Sequence, residues 1–133
     1  MFRVSIYNLF SPVNIRGVDF PNRIVVPPMC QYSAHEGYVD DWHLVNLGRF
    51  AMGGAGLIIT EATAVQKKGR ITHGCPGIWK DGQIIGHSRI AQFISRNGAI
   101  PGIQLGHAGR KASMQRPWYG NGPLNEDDFE RGD

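Results

Sequence analysis

The stretch Asp40-Asp41-Trp42-His43-Leu44-Val45-Asn46-Leu47-Gly48-Arg49-Phe50-Ala51-Met52-Gly53-Gly54-Ala55-Gly56-Leu57-Ile58-Ile59-Thr60 holds two different patterns end to end. Leu44, Leu47, Phe50 and Ala51 recur at helical spacing behind an acidic N-cap pair, and Gly53-Gly54 stops them. Leu57-Ile58-Ile59-Thr60 is then a short β-rich run without polar alternation, which reads as a strand covered on both faces. Upstream, Ile24-Val25-Val26 is a similar run stopped by Pro27-Pro28; downstream, another runs from Ile100 to Leu105. Pro101 sits at the mouth of that third run, where a missing donor is tolerated. A second helix is expected from near Asp81, carrying Ile90, Phe93 and Ile94 to a stop at Asn97-Gly98, with Gly86 weakening its first turns.

The order strand, helix, strand, helix, strand argues for βαβ units and a parallel sheet in an α/β fold. Residues 1–23 are expected to form a lid or small hairpin before the first strand. From Arg116 to Asp133 the chain reads as a polar loop without a last hydrophobic element. A (β/α)8 TIM barrel takes about 250 residues and eight strands. Residues 1–133 are therefore expected to be the N-terminal part of such a barrel domain, about its first three strands and two helices, with the barrel incomplete.

Bulk properties exclude several other classes. The 18 glycines and 8 prolines make about a fifth of the chain, short of the composition of a low-complexity segment. The net charge of +3 is scattered, its densest clusters being Lys67-Lys68-Gly69-Arg70 and Arg110-Lys111. Neither cluster has the interleaved aromatics of a nucleic-acid surface, so each reads as a solvated loop and no nucleic-acid partner is expected. Cys30 and Cys75 are far apart without CxxC spacing, against a disulfide framework or a cysteine-rich zinc site. With no signal-peptide pattern and no membrane-length apolar stretch, the expected setting is cytoplasmic, without a membrane partner.

Chemistry-bearing residues fall where each strand ends. Pro27-Pro28-Met29-Cys30-Gln31-Tyr32 follows the first run, Glu61-Ala62-Thr63-Ala64 the second, and Gln104 then Gly106-His107-Ala108-Gly109-Arg110-Lys111 close the third. In β/α barrels the working groups cluster at the C-terminal ends of strands. The two prolines stiffen a backbone beside a polarizable thiol and, at Tyr32, a phenol. Gln104 both donates and accepts hydrogen bonds, which suits the alternating N–H and C=O edge of a flavin pyrimidine. Taken singly, each has a plainer reading, the cysteine as packing and the glutamine as a loop brace.

Taken together they form a pattern. Asn22 to Tyr32 (N-R-I-V-V-P-P-M-C-Q-Y) resembles the first-strand motif of the Old Yellow Enzyme family, and its cysteine resembles the thermophilic-like branch of YqjM-type reductases and xenobiotic reductase A. Ile58 to Val65 (I-I-T-E-A-T-A-V) is similar to the second-strand motif, Gly69 to Trp79 (G-R-I-T-H-G-C-P-G-I-W) to the loop after it, and Gly102 to Ala112 (G-I-Q-L-G-H-A-G-R-K-A) to the third-strand motif. The resemblance runs from about Leu9 to Trp118. It implies an FMN at the mouth of a β/α barrel, with Pro27, Pro28, Met29, Cys30, Ala62 and Gln104 lining the flavin. It further implies that Cys30 tunes the flavin potential, that Tyr32 helps hold the substrate, and that Ile71 and Lys111 line the active site. The implied activity is that of an ene-reductase: NADPH or NADH reduces FMN, and the hydride passes to the β-carbon of a small activated alkene such as an enone. A homo-oligomeric full-length parent is also implied.

The family's carbonyl-gripping His/His or His/Asn pair, its proton-donating tyrosine and its phosphate-binding loops are expected beyond Asp133, so the chain alone is expected to be inactive. His107 reads as a turn or packing histidine, and His35, His43, His73 and His87 lack metal-site spacing. Gly48, Gly53, Gly54 and Gly56 precede a strand, so they read as a helix stop rather than a dinucleotide loop, and Gly106 to Ser113 lacks Walker spacing. The competing expectation is a non-catalytic piece that binds a partner or completes a barrel in trans.

Overall fold

The computed structural model describes residues 8–130. Residues 1–7 of the expected lid or hairpin, and 131–133 of the polar tail, lie outside the described residues. Among those described, Val13–Ile15 (β1) and Val18–Phe20 (β2) pair antiparallel as a small hairpin. Its turn places Arg16 and Gly17 at φ of 50° and 83°.

The main sheet is parallel, in the order β3 (Val25–Val26), β4 (Leu57–Ala64), β5 (Ile100–Gly106). Helix α1 (Asp41–Met52) links β3 to β4, and α2 (Ile84–Arg96), entered through a 3-10 turn at Asp81–Gln83, links β4 to β5. The strand–helix alternation expected from sequence is present. Asp40 caps α1 by accepting the Trp42 N–H at 3.0 Å, a contact whose loss typically costs about 1 kcal/mol. At the other end Gly53 donates to the Arg49 and Ala51 carbonyls, and Gly54 takes a φ of +87° that glycine adopts without strain. Asn22 then clips this turn to β3: its Nδ2 donates to the Gly54 carbonyl at 2.8 Å and its Oδ1 accepts the Ile24 amide at 3.0 Å. The glycine cluster is thus a helix stop and a tight αβ turn.

The core lies between the helices and one face of the sheet. Val26, Leu47, Ala51, Ala55, Ile58, Ile90, Ile94 and Ala99 form it, with Ile24, Val39, Leu44 and Phe50 packed against it. Gly48 leaves room for the Phe93 ring, so α1 and α2 approach closely.

Three expectations need correction. The second strand does not stop at Thr60: it continues to Ala64 because Ala62, Thr63 and Ala64 pair with Gln104, Leu105 and Gly106. Not every strand is covered on both faces, since Ile103 and Leu105 of β5 are exposed. The polar tail is not all loop: Pro117–Tyr119 forms a 3-10 turn and Glu126–Glu130 a short helix, α3, whose buried Asp128 accepts from the Gln115 amide at 2.9 Å. Among the described residues no helix is long and apolar enough to cross a membrane.

Candidate functional site

The C-terminal ends of β4 and β5 open into a pocket of about 160 Å³. Its lining includes Ala62 and Ala64 of β4, Gln104 and Gly106 of β5, and Ile71 and Cys75 of the loop after β4. Small residues make much of this floor, so a flat ring can lie close to backbone, with the exposed Gln104 amide at its edge.

Beside this pocket runs the segment 27–32 that follows β3. It is tied to β4 by three contacts. The Gln31 amide donates to Glu61 Oε2 at 2.8 Å, the Tyr32 amide donates to the same carboxylate, and the Ala62 amide donates to the Cys30 thiol. Tyr32 is held at a φ of +53°, uncommon for a bulky residue. Its ring meets Trp118 edge-on at 6.2 Å. Burial is the first cause raising the Tyr32 phenol, followed by the charges of Cys30 and Cys75.

The two cysteines, 45 positions apart in sequence, meet here. The Cys30 thiol donates to Cys75, and this contact, ahead of burial, pushes Cys30 upward. Cys75 is pulled down by the same hydrogen bond, with help from the Thr72 amide at 3.4 Å and the Thr72 hydroxyl, whose oxygen is 3.8 Å from Sγ. The pair therefore releases its first proton from Cys75. Both cysteines are free thiols. Their proximity is a tertiary fact: Thr72 to Pro76 curls back under the Cys30 loop, with the Ala34 amide donating to the Gly74 carbonyl at 2.9 Å.

Of the residues singled out from sequence, Ala62, Ile71 and Gln104 line the pocket directly. Pro27, Pro28, Met29, Cys30 and Tyr32 are outside the pocket lining; of their segment, Cys30 reaches the lining residue Cys75. Lys111 is exposed on the 3-10 turn Gly109–Lys111, outside the pocket lining. His107 lines the pocket's rim as a turn residue: its ring packs on Gly69 and its Nδ1 accepts the Gly109 amide at 3.0 Å. Among the basic residues, Lys67 pairs with Glu36 at 2.9 Å, whereas Arg70 turns inward to the His73 carbonyl at 2.9 Å and the Trp79 ring.

Sequence reasoning gave no role to Glu61 or His43, buried to 4% and 1% exposure. Glu61 sits at a bulge, since β4 shifts register against β5 between Thr60 and Ala62. A bulge re-aims a side chain, and here the Glu61 carboxylate reaches the loop after β3. A lone glutamate inside an apolar strand was the available signal.

The model of the NADH:flavin oxidoreductase / NADH oxidase family matches residues 8–132. The chain belongs to this family. Among its relatives, NADH:flavin oxidoreductase FG08077 of Gibberella zeae is 54% identical over 110 residues, which is 83% of this chain and 27% of that protein. NADPH dehydrogenase of Geobacillus sp. (strain WCH70) is 48% identical over 108 residues, 80% of this chain and 32% of that protein. The solved Old Yellow Enzyme from Pichia sp. AKU4542 superposes with a TM-score of 0.74 at 29% identity, over 80% of this chain and 28% of that one. The chain thus spans about a quarter to a third of the length of the relatives it matches. The resemblance to the Old Yellow Enzyme family holds, and the β3–β4–β5 unit is the N-terminal part of a (β/α)8 barrel.

Proposed function

We propose that this chain supplies part of the flavin site of an FMN-dependent NAD(P)H:alkene oxidoreductase, an ene-reductase. The observation that carries the reading is the recess formed where β4 and β5 end, with small residues as floor, Gln104 in its lining and the Cys30 loop meeting it at Cys75. Nicotinamide as reductant is supported by the names of two relatives, an NADH:flavin oxidoreductase and an NADPH dehydrogenase. FMN, when bound, would accept a hydride from NAD(P)H and deliver it to the β-carbon of an activated alkene.

The residues present fit such a group. Ala62, Ala64 and Gly106 leave the space a planar ring needs, and Gln104 can donate to a ring carbonyl and accept from a ring N–H. Pro27, Pro28 and Met29 present a stiff main chain beside it. Cys30, kept as a neutral thiol by its neighbours, places a polarizable sulfur near the ring without a charge. Tyr32 offers a phenol that stays protonated and can hold a substrate oxygen. Ile71 adds an apolar wall, and Lys111 a cation at the outer edge. The chain spans about a quarter to a third of its relatives' length, so turnover is assigned to the completed barrel, with an alkene substrate. The exposed Ile103 and Leu105 on β5 favour completion of the sheet by further strands.

The test is to purify the longest natural protein carrying this chain and add NADPH and an enone. A yellow protein with enone-dependent NADPH oxidation is expected. A colourless protein that takes up no added FMN overturns the reading.

A further inference from the structure

Behind the Cys30 loop lies a buried polar line that the flavin reading does not use. Asp40, the N-cap of α1, places its Oδ1 2.9 Å from His43 Nδ1. His43 Nε2 lies 3.7 Å from Glu61 Oε1, too far for a hydrogen bond, and has no hydrogen-bond partner among the described residues. Glu61 Oε2 in turn receives the Gln31 amide at 2.8 Å, and the same carboxylate receives the Tyr32 amide. An exposed aspartate is thus linked, through a fully buried ring, to the carboxylate that holds two consecutive amides of the loop.

The ring is pinned at its other nitrogen. His43 Nδ1 faces both the Asp40 backbone amide, at 3.2 Å, and the Asp40 carboxylate, at 2.9 Å, in a capping box with histidine in the place usually taken by Glu or Gln. This turns Nε2 toward Glu61.

The loop needs such a hold. Tyr32 sits in the left-handed region, a strained conformation for a bulky side chain that persists only when its surroundings over-determine it. The two amides bound by Glu61 belong to Tyr32 itself and to the residue before it.

We propose that Glu61 is the positioning residue of the Cys30–Tyr32 loop and that its hold is strong when the carboxylate is charged and relaxes when it is protonated. This deepens the flavin-site reading, because the loop it positions meets that site at Cys75. Burial raises the Glu61 carboxyl to about 7, against the lowering effect of the Gln31 and Tyr32 amides. Both states are therefore populated near neutral pH. The other titratable groups facing Glu61 are Cys30 and Tyr32 from the loop itself and Cys75 from the loop after β4. Since Cys75 is drawn down to about 6, the experiment must separate it from Glu61.

Amide NMR shifts of Gln31 and Tyr32 in this 133-residue chain, followed from about pH 5 to about pH 9, provide that separation. Both amides are expected to titrate together with a midpoint near 7. Glu61→Gln keeps an acceptor but cannot ionise, so the titration disappears. Cys75→Ser leaves the titration in place, which keeps the idea testable even where Glu61→Gln does not fold. Flat shifts in the unsubstituted chain, a titration surviving in Glu61→Gln, or its loss in Cys75→Ser overturns the proposal. None of these readouts needs FMN, so a chain that titrates as expected but binds no flavin would break the flavin reading and leave this one standing.

Discussion

The central and edge strands of the three-stranded sheet turn similar residues to the same side and fare very differently. On β4, Ile58 is 0% exposed beneath the helices; on β5, whose Pro101 and Ile103 pair with Ile58 and Thr60 and so share that face, Ile103 and Leu105 stand at 39% and 58%. Burial is a property of the layers around a strand, not of the strand. A barrel strand needs a paired neighbour on each side and helices outside, and among the described residues β5 is paired with β4 alone. The site sits where the two regimes meet, at the ends of the strands, where covered backbone gives way to open pocket.

Substitutions can sharpen or break that contrast. Ile58→Ala empties a fully enclosed position and is expected to cost about 2–5 kcal/mol in urea unfolding. A loss under about 1 kcal/mol would mean the helical face is loosely packed.

The next effect is one of pH. The folded Glu61 carboxyl is raised to about 7 from 4.5, so it binds its proton more tightly folded than unfolded. Its stabilising contribution is present below about pH 4.5 and is lost as pH rises through about 7, up to roughly 3 kcal/mol in total. Comparing unfolding curves of the chain and Glu61→Gln across that window should therefore show the substituted protein gaining relative stability as pH rises. An unchanging difference would return Glu61 to an ordinary carboxylate.

Gly77→Ala comes third. A Cβ at Gly77 would run into the Trp79 ring, so repacking should cost about 1–3 kcal/mol, read as a lower unfolding midpoint with a shift in tryptophan fluorescence. The smallest effect belongs to the open edge: Leu105→Thr keeps β propensity and is expected to change stability by about 0.5 kcal/mol or less. A loss comparable to that of Ile58→Ala would show that this edge is covered in solution.

Much of this architecture was legible along the chain because its cues are local. Asp40 and Gly53-Gly54 bracket α1, as caps do wherever a helix must satisfy its end groups, and the apolar runs mark the three parallel strands. Ala62, Ile71 and Gln104 could be selected from motifs and do share a pocket. The length of β4 was less visible, because Glu61 breaks the apolar pattern at a bulge that only pairing with β5 explains. The helix α3 was hidden too, since Glu126-Asp127-Asp128 reads as solvated until Asp128 is buried against Gln115.

The sequence by itself determined the order of elements, their caps and the motifs at the strand ends, all set by backbone propensity and apolar spacing over a few residues. Only the tertiary structure decided which distant groups became neighbours: Cys30 beside Cys75, His43 behind Glu61, and Glu61 under the Gln31 amide. Hydrogen bonding and desolvation act over a few ångströms of space whatever the separation along the chain. The charge states of Cys30, Glu61 and Cys75 are accordingly products of the fold.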